Sequence, residues 1–313
     1  MLSESIAFVF PGQGSQKTGM GAALAAAYPS ARRIFDEADD TLGEKLSTLC
    51  FEGPDDRLAL TANTQPAILT CSVAAWTVLR EELGTQPLVC LGHSLGEFSA
   101  LVAAGALAFA DAVKLVRLRG EAMQAAVPAG VGAMAAIVNV PADDLEARCA
   151  AASREASAVT IANENGGGQL VVAGHADAVS RLVAEVKAAR GKAIMLNVSA
   201  PFHCSLMQPA ATRMAEALAQ IVVSPLHTPV IANVDAEPNS DADRVKDLLI
   251  RQITGRVRWE ASVRKAVHMG VRRALEIGHG KVLAGLIKRI VPDLPVTAVG
   301  SPEDLDVLKL GAA

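Results

Sequence analysis

Residues 87–104 read PLVCLGHSLGEFSALVAA, and three patterns follow one another within them. Residues 88–91 form a short apolar run with the character of a buried strand. Gly92-His93-Ser94-Leu95-Gly96 follows at once. Phe98, Leu101 and Val102 then recur at helical spacing among small residues. Strand, G-x-S-x-G, helix is the order in which that motif becomes a nucleophile elbow. The turn forces its central residue into a strained backbone and brings neighbouring chains too close for side chains, so positions 92 and 96 require glycine. Ser94 then projects from the turn as a nucleophile, and the N–H of Leu95, opening the helix, points to where an oxyanion sits.

Working outward, residues 6–10, IAFVF, read as another buried strand, ending in PGQGSQ at 11–16. Its spacing refuses both phosphate motifs. Lys17 stands where the third glycine of G-x-G-x-x-G belongs, and Met20 follows Gly19 where a P-loop needs lysine. The loop is instead read as backbone N–H groups presented at the carboxyl edge of a sheet. Helical patterns cover 22–28, 31–42, 61–82, 111–124, 205–220 and 281–290, and apolar strand patterns cover 228–234 and 273–277. From residue 127 the texture changes. Strand patterns at 132–140, 158–163, 169–174 and 193–198 alternate with helical ones at 142–152 and 176–190, the β-α-β-β-α-β order of a ferredoxin-like unit. Pro128-Ala129-Gly130 and Ser199-Ala200-Pro201 bound it. The expected organisation is an α/β domain with a parallel sheet, residues 1–128 and 199–313, carrying a ferredoxin-like insertion at 129–198.

Composition agrees with that class. Hydrophobic residues make up 51% of the 313 but aromatics only 3%, so Ala, Val, Leu and Ile must build the core, as suits helices packed on a parallel sheet. No apolar run reaches membrane-spanning length and no signal pattern opens the chain, which points to a cytoplasmic protein without a membrane partner. The five cysteines at 50, 71, 90, 149 and 204 show no C-x-x-C pairing, so neither a disulfide framework nor a metal site is expected. The net charge of −4 conceals an asymmetry. Residues 244–289 hold twelve Lys/Arg against three acids, a local +9, leaving −13 for the rest. Aromatic residues for base stacking are scarce there, so an anionic ligand or partner is a better reading than nucleic acid, with solvated helix faces as the alternative.

A serine hydroxyl needs a base within hydrogen-bond reach. Of the six histidines (93, 175, 203, 227, 268 and 279), His93 adjoins Ser94, but side chains adjacent on an elbow diverge, which favours a structural role. His203 stands where the chain re-enters the larger domain. An isolated loop histidine is also commonly structural, and no acid is placed to complete a Ser-Asp-His triad. Arg119 shares a helical stripe with Ala112, Leu115, Val116, Ala122 and Met123, the side due for burial. A guanidinium there needs several acceptors within the fold or a ligand anion.

Five ordered motifs resolve these alternatives by resemblance. PGQGSQ at 11–16, GHSLGE at 92–97, RLRGEAM at 117–123, PFH at 201–203 and Gln252 upstream of VRW together resemble the malonyl-CoA:acyl carrier protein transacylase family over residues 8–289. The resemblance implies an α/β-hydrolase-like large subdomain with a ferredoxin-like insertion, and transfer of malonyl from malonyl-CoA to an acidic acyl carrier protein without a cofactor. It implies Ser94 as nucleophile, His203 as base and Gln252 orienting that base through its carbonyl. Gln13 and Leu95 become the oxyanion-hole donors, Arg119 the grip on the malonyl carboxylate, and Asn163 a further substrate contact. The basic 244–289 stretch becomes a docking region for the carrier protein and the phosphates of coenzyme A. The chain departs from the family pattern at Gly166-Gly167-Gly168, at Cys204 and at His279, none of which belongs to this set. A serine hydrolase, a non-catalytic adaptor, a malonate decarboxylase subunit and a polyketide acyltransferase are the rival readings.

Overall fold

Strand β1 (Ile6–Phe10) is buried along its whole length. Ile6, Phe8 and Phe10 enter one apolar cluster, while Ala7 and Val9 enter a second on the opposite face. A strand covered on both sides has no polar face to alternate with, which explains the unbroken apolar run. The structure, a computed structural model, describes residues 5–198 and 200–310. Ser199, used above to bound the insertion, lies outside them. The other strands are β2 (Val89–Gly92), β3 (Gly132–Val138), β4 (Val159–Gly166), β5 (Gln169–His175), β6 (Lys192–Met195), β7 (Val230–Ile231), β8 (Pro238–Asn239), β9 (Arg273–Ile277) and β10 (Val296–Val299).

They form two sheets. The larger has the order β10-β9-β1-β2-β7-β8, parallel throughout except for the β7–β8 pair. Phe10 lies opposite Gly92 in the central β1–β2 pair, so the PGQGSQ loop and the elbow leave the sheet side by side. The smaller sheet is antiparallel with the order β4-β5-β3-β6, flanked by helices Ala142–Ala152 and Ala176–Ala188. Counted within the unit this is 2-3-1-4, the ferredoxin-like arrangement. The β4–β5 hairpin turns through Gly166, Gly167 and Gly168 at φ of 84°, 61° and 74°. Three successive left-handed residues account for glycine throughout this turn.

Two long-range contacts set the geometry of the site. Gly120, in helix Phe109–Ala125, has no room for a Cβ, which would fall 2.6 Å from the Thr61 carbonyl oxygen and 2.7 Å from Ala62 Cα. The backbone of this helix therefore lies against the first turn of helix Thr61–Leu83, and Arg119 comes to rest beside Gln65. The small sheet is tied to the large one through β4. Val257 donates its N–H to the Ala162 carbonyl and its own carbonyl accepts from Glu164. Arg256 pairs with Glu146 and Glu164, both at 2.6 Å.

Four elements differ from the sequence pattern. The expected strand at 228–234 shrinks to the two residues of β7, because Asn233 gives its N–H to the Glu97 carboxylate instead of a neighbouring strand. The helix expected from residue 205 begins as a 3₁₀ turn, Ser205–Met207, and becomes α-helical at Gln208–Ala219, with proline tolerated in its first turn. The edge strands β8 and β10 carry too few residues to show a period. Among the described residues no helix is long and apolar enough to cross a membrane.

Candidate active site

The elbow forms as its spacing requires. Ser94 has φ of 51°, in the left-handed region, and helix Gly96–Ala103 follows. A Cβ at Gly92 would collide with the backbone of Gly96, and one at Gly96 with the Phe10 carbonyl. These contacts are the physical basis of the two glycines in the motif. Ser94 opens onto a cavity of about 350 Å³, within the range of small-molecule sites, whose wall includes Gln13, Arg119, Asn163, Asn165 and His203.

Ser94 Oγ and His203 Nε2 are 2.7 Å apart, and His203 Nδ1 lies 2.9 Å from the Gln252 carbonyl oxygen. A carbonyl only accepts, so Nδ1 carries the proton and Nε2 is left bare to accept from the serine hydroxyl. His203 also has a left-handed backbone, φ 58°, which aims its ring at the elbow. Burial and the neighbouring Arg119 push its pKa down to about 3, so the ring is neutral at physiological pH and available to take a proton.

Arg119 is 2% exposed. One Nη2 hydrogen goes to Ser94 Oγ at 3.1 Å and the other to Gln252 Oε1 at 2.9 Å, while Nη1 donates to Gln65 Oε1 at 2.8 Å. Its Nε–H has no acceptor among the described residues. Burial lowers its pKa to about 10 against the opposing pull of Glu97, so it stays cationic. A permanent charge is thus held against the Ser94 hydroxyl, supported on neutral amide oxygens and with donor capacity left over.

The remaining expected residues take up different positions. Gln13, after β1, lines the cavity and reaches Thr61 Oγ1 with its amide at 3.3 Å. The Leu95 side chain packs in the core, so only its backbone N–H, at the start of a helix, is available to a reacting group. Asn163 is buried in the cavity wall on β4. His93, read as structural, joins the wall as well: its Nε2 lies 2.8 Å from Asn165 Oδ1 and its ring meets Trp259 edge-on.

Three buried residues that no spacing singled out complete the network. Gln65 has been described. Asn233 spans the elbow, accepting from the Ser94 N–H at 2.7 Å and donating to the Gly92 carbonyl at 2.6 Å. Glu97 Oε2 accepts from Gln252 Nε2 and from the Asn233 N–H, both at 2.9 Å. The final glutamate of GHSLGE, a carboxylate in an apolar helix, was the one available signal for the last of these.

The 244–289 stretch is not one uniform patch. Arg244, Arg251, Arg256, Arg264 and Lys265 are each paired with an acid. Lys281, Lys288 and Arg289 are exposed, and Arg289 reaches Gln169 beside the β4–β5 hairpin.

Comparison with known proteins identifies the family. The acyl transferase domain family matches residues 7–299. The malonyl CoA-acyl carrier protein transacylase of Salmonella typhimurium is 48% identical over 301 residues, 96% of this chain and 97% of the relative. The chain belongs to the malonyl-CoA:acyl carrier protein transacylase family. Among solved members, an acyl carrier protein S-malonyltransferase from Vibrio cholerae superposes with a TM-score of 0.94 at 46% identity, covering 97% of this chain and 99% of its own. A malonyl-transacylase solved in complex with a type II polyketide synthase acyl carrier protein gives 0.94 at 43% identity, covering 99% and 100%. The transacylase fold of those structures, a large α/β body with a smaller sheet beside it, is the fold described above.

Proposed function

We infer that the protein transfers the malonyl group of malonyl-CoA to the phosphopantetheine thiol of an acyl carrier protein through a malonyl-serine intermediate, supplying fatty acid synthesis. The observation that carries this reading is the buried Arg119 guanidinium 3.1 Å from the Ser94 hydroxyl. A site for a plain acyl group has no need of a desolvated cation beside its nucleophile, whereas a diacid monothioester brings a carboxylate to meet it.

The steps follow from the donors and acceptors in place. Ser94 Oγ attacks the thioester carbonyl as its proton passes to His203 Nε2. The Gln252 carbonyl, bonded to Nδ1–H, holds the ring and stabilises the imidazolium, the task a carboxylate performs in other serine enzymes. The N–H groups of Gln13 and Leu95 receive the oxyanion. The C–S bond breaks, coenzyme A leaves with the proton from His203, and a malonyl-serine ester remains. The carrier-protein thiol then gives its proton to His203, attacks the ester and departs as the thioester, restoring the serine. Throughout, Arg119 binds the distal carboxylate, and Asn163 contacts the substrate from the cavity wall.

We assign residues 1–128 and 199–313 to the catalytic subdomain and 129–198 to the insertion, and we place the protein in the cytoplasm, where its carrier substrate is used. Carrier-protein docking falls within the 244–289 region, on exposed cations that include Lys281, Lys288 and Arg289. A carbonyl rather than a carboxylate on His203 speaks against a serine hydrolase.

The test is intact-mass analysis and peptide mapping after mixing the protein with malonyl-CoA and no acceptor. A malonyl adduct on Ser94, absent in Ser94→Ala and discharged by holo carrier protein, is expected. Stoichiometric release of free malonate without a persistent adduct would instead make the protein a hydrolase.

A further inference from the structure

Glu97 is 2% exposed, in the first turn of the elbow helix, and takes no part in the steps above. We propose that Glu97 is a positioning residue for malonyl selectivity: its carboxylate anchors the Gln252 amide on which Arg119 rests, and so fixes where the guanidinium points. This rests on the malonyl-transfer reading.

A primary amide is nearly symmetric in shape, so packing alone does not choose between its oxygen and nitrogen ends. Hydrogen bonding does. The Gln252 NH₂ donates to two acceptors, the Ser94 carbonyl at 3.0 Å and Glu97 Oε2 at 2.9 Å, which leaves Oε1 for Arg119 Nη2 at 2.9 Å. Rotated by half a turn, the amide would set NH₂ against the guanidinium and oxygen against the carboxylate. Three hydrogen bonds would be lost. The same Oε2 accepts from the N–H of Asn233, whose side chain clamps the elbow. One oxygen thus ties the support of the cation to the support of the nucleophile.

Arg119 leans on Gln252 from one side and Gln65 from the other. With the Glu97 acceptor gone, one Gln252 N–H is buried without its partner and the amide is held at one point fewer, so the anchor of the guanidinium nearest Ser94 shifts. A displacement of about 1 Å in such a group costs on the order of a hundredfold in rate. The loss falls on the substrate with a distal carboxylate, because an acetyl group never meets that end of the cation.

The experiment compares kcat/KM for malonyl and acetyl loading of Ser94 in the same preparation, so any misfolded fraction cancels from the ratio. Glu97→Met, which fills the space without an acceptor, is expected to narrow the malonyl preference about tenfold or more, chiefly through a raised KM for malonyl-CoA. Glu97→Gln, able to set its oxygen where Oε2 lies, restores most of it. Should Glu97→Met not accumulate, Glu97→Asp gives the same reading, since its acceptor is withdrawn by one methylene. An unchanged preference in Glu97→Met or Glu97→Asp, or no recovery in Glu97→Gln, overturns the proposal. Wild-type protein forming no malonyl adduct would instead overturn the malonyl reading itself.

Discussion

Replacing Arg119 with alanine removes the one cation buried in the core among the described residues, together with the hydrogen bonds it donates to Ser94, Gln65 and Gln252. The consequences differ between two substrates that are otherwise alike. An acetyl group loses only the single N–H donated to Ser94 Oγ, of order 1 kcal/mol, or about fivefold in rate. A malonyl group must in addition leave its carboxylate unpaired beside the buried elbow, a penalty of about 2–5 kcal/mol. That converts to roughly 30- to 4,000-fold. The malonyl-to-acetyl ratio of Ser94 loading therefore falls by at least about tenfold. Quenched-flow acylation read by intact mass, with each acyl-CoA in turn, measures both rates on one preparation. Arg119→Lys should fall between wild type and alanine, because one ammonium keeps the charge without spanning both amide oxygens. Equal losses for the two substrates would mean that the cation acts on the serine alone, and the carboxylate grip would be refuted.

Two further outcomes follow from the network. Nitrogen-detected NMR of His203 should show the neutral Nδ1–H tautomer from pH 8 to below pH 5, since burial and Arg119 take its pKa to about 3; a midpoint near 6.5 would contradict this. A histidine depressed in the folded state contributes stability above its unfolded value of about 6.5, which is lost as pH falls toward 3, and chemical denaturation should show that slope. Asn233→Leu leaves the Ser94 N–H and the Gly92 carbonyl without their partner, at about 1–3 kcal/mol for each buried group. It should lower thermal stability and the rate of acylation for malonyl and acetyl alike, and a change confined to malonyl KM would show that Asn233 does not brace the elbow.

Much of the site was legible because its pieces are local. The elbow is a five-residue pattern bounded by an apolar run and an amphipathic one, and its glycines are dictated by backbone collisions within a few residues or with the adjacent strand. Arg119 announced itself as a charge on an apolar stripe. His203 did not, since a loop histidine carries no period, and only the resemblance singled it out. Gln65 and Asn233 left no trace, because an amide in a helix or at a strand end is chemically unremarkable until its partners are known. Glu97 closes the GHSLGE motif, where spacing assigns it no task. The short strand β8 escaped for another reason: two residues cannot display alternation.

What the chain determines alone is the succession of elements and the strained turn that exposes Ser94, because both depend on side-chain periodicity and on contacts within one supersecondary unit. Tertiary structure decides what surrounds the serine. The tight seat of Gly120 brings Arg119 to Gln65, the return of the chain after the small sheet lays His203 against Ser94, and a helix far along the sequence supplies both the Gln252 carbonyl and its amide. Those contacts join residues more than a hundred positions apart in several cases, including His203 with Ser94 and Gln252 with Glu97. Hydrogen bonds act over about 3 Å, and only the folded packing brings such distant groups within that range.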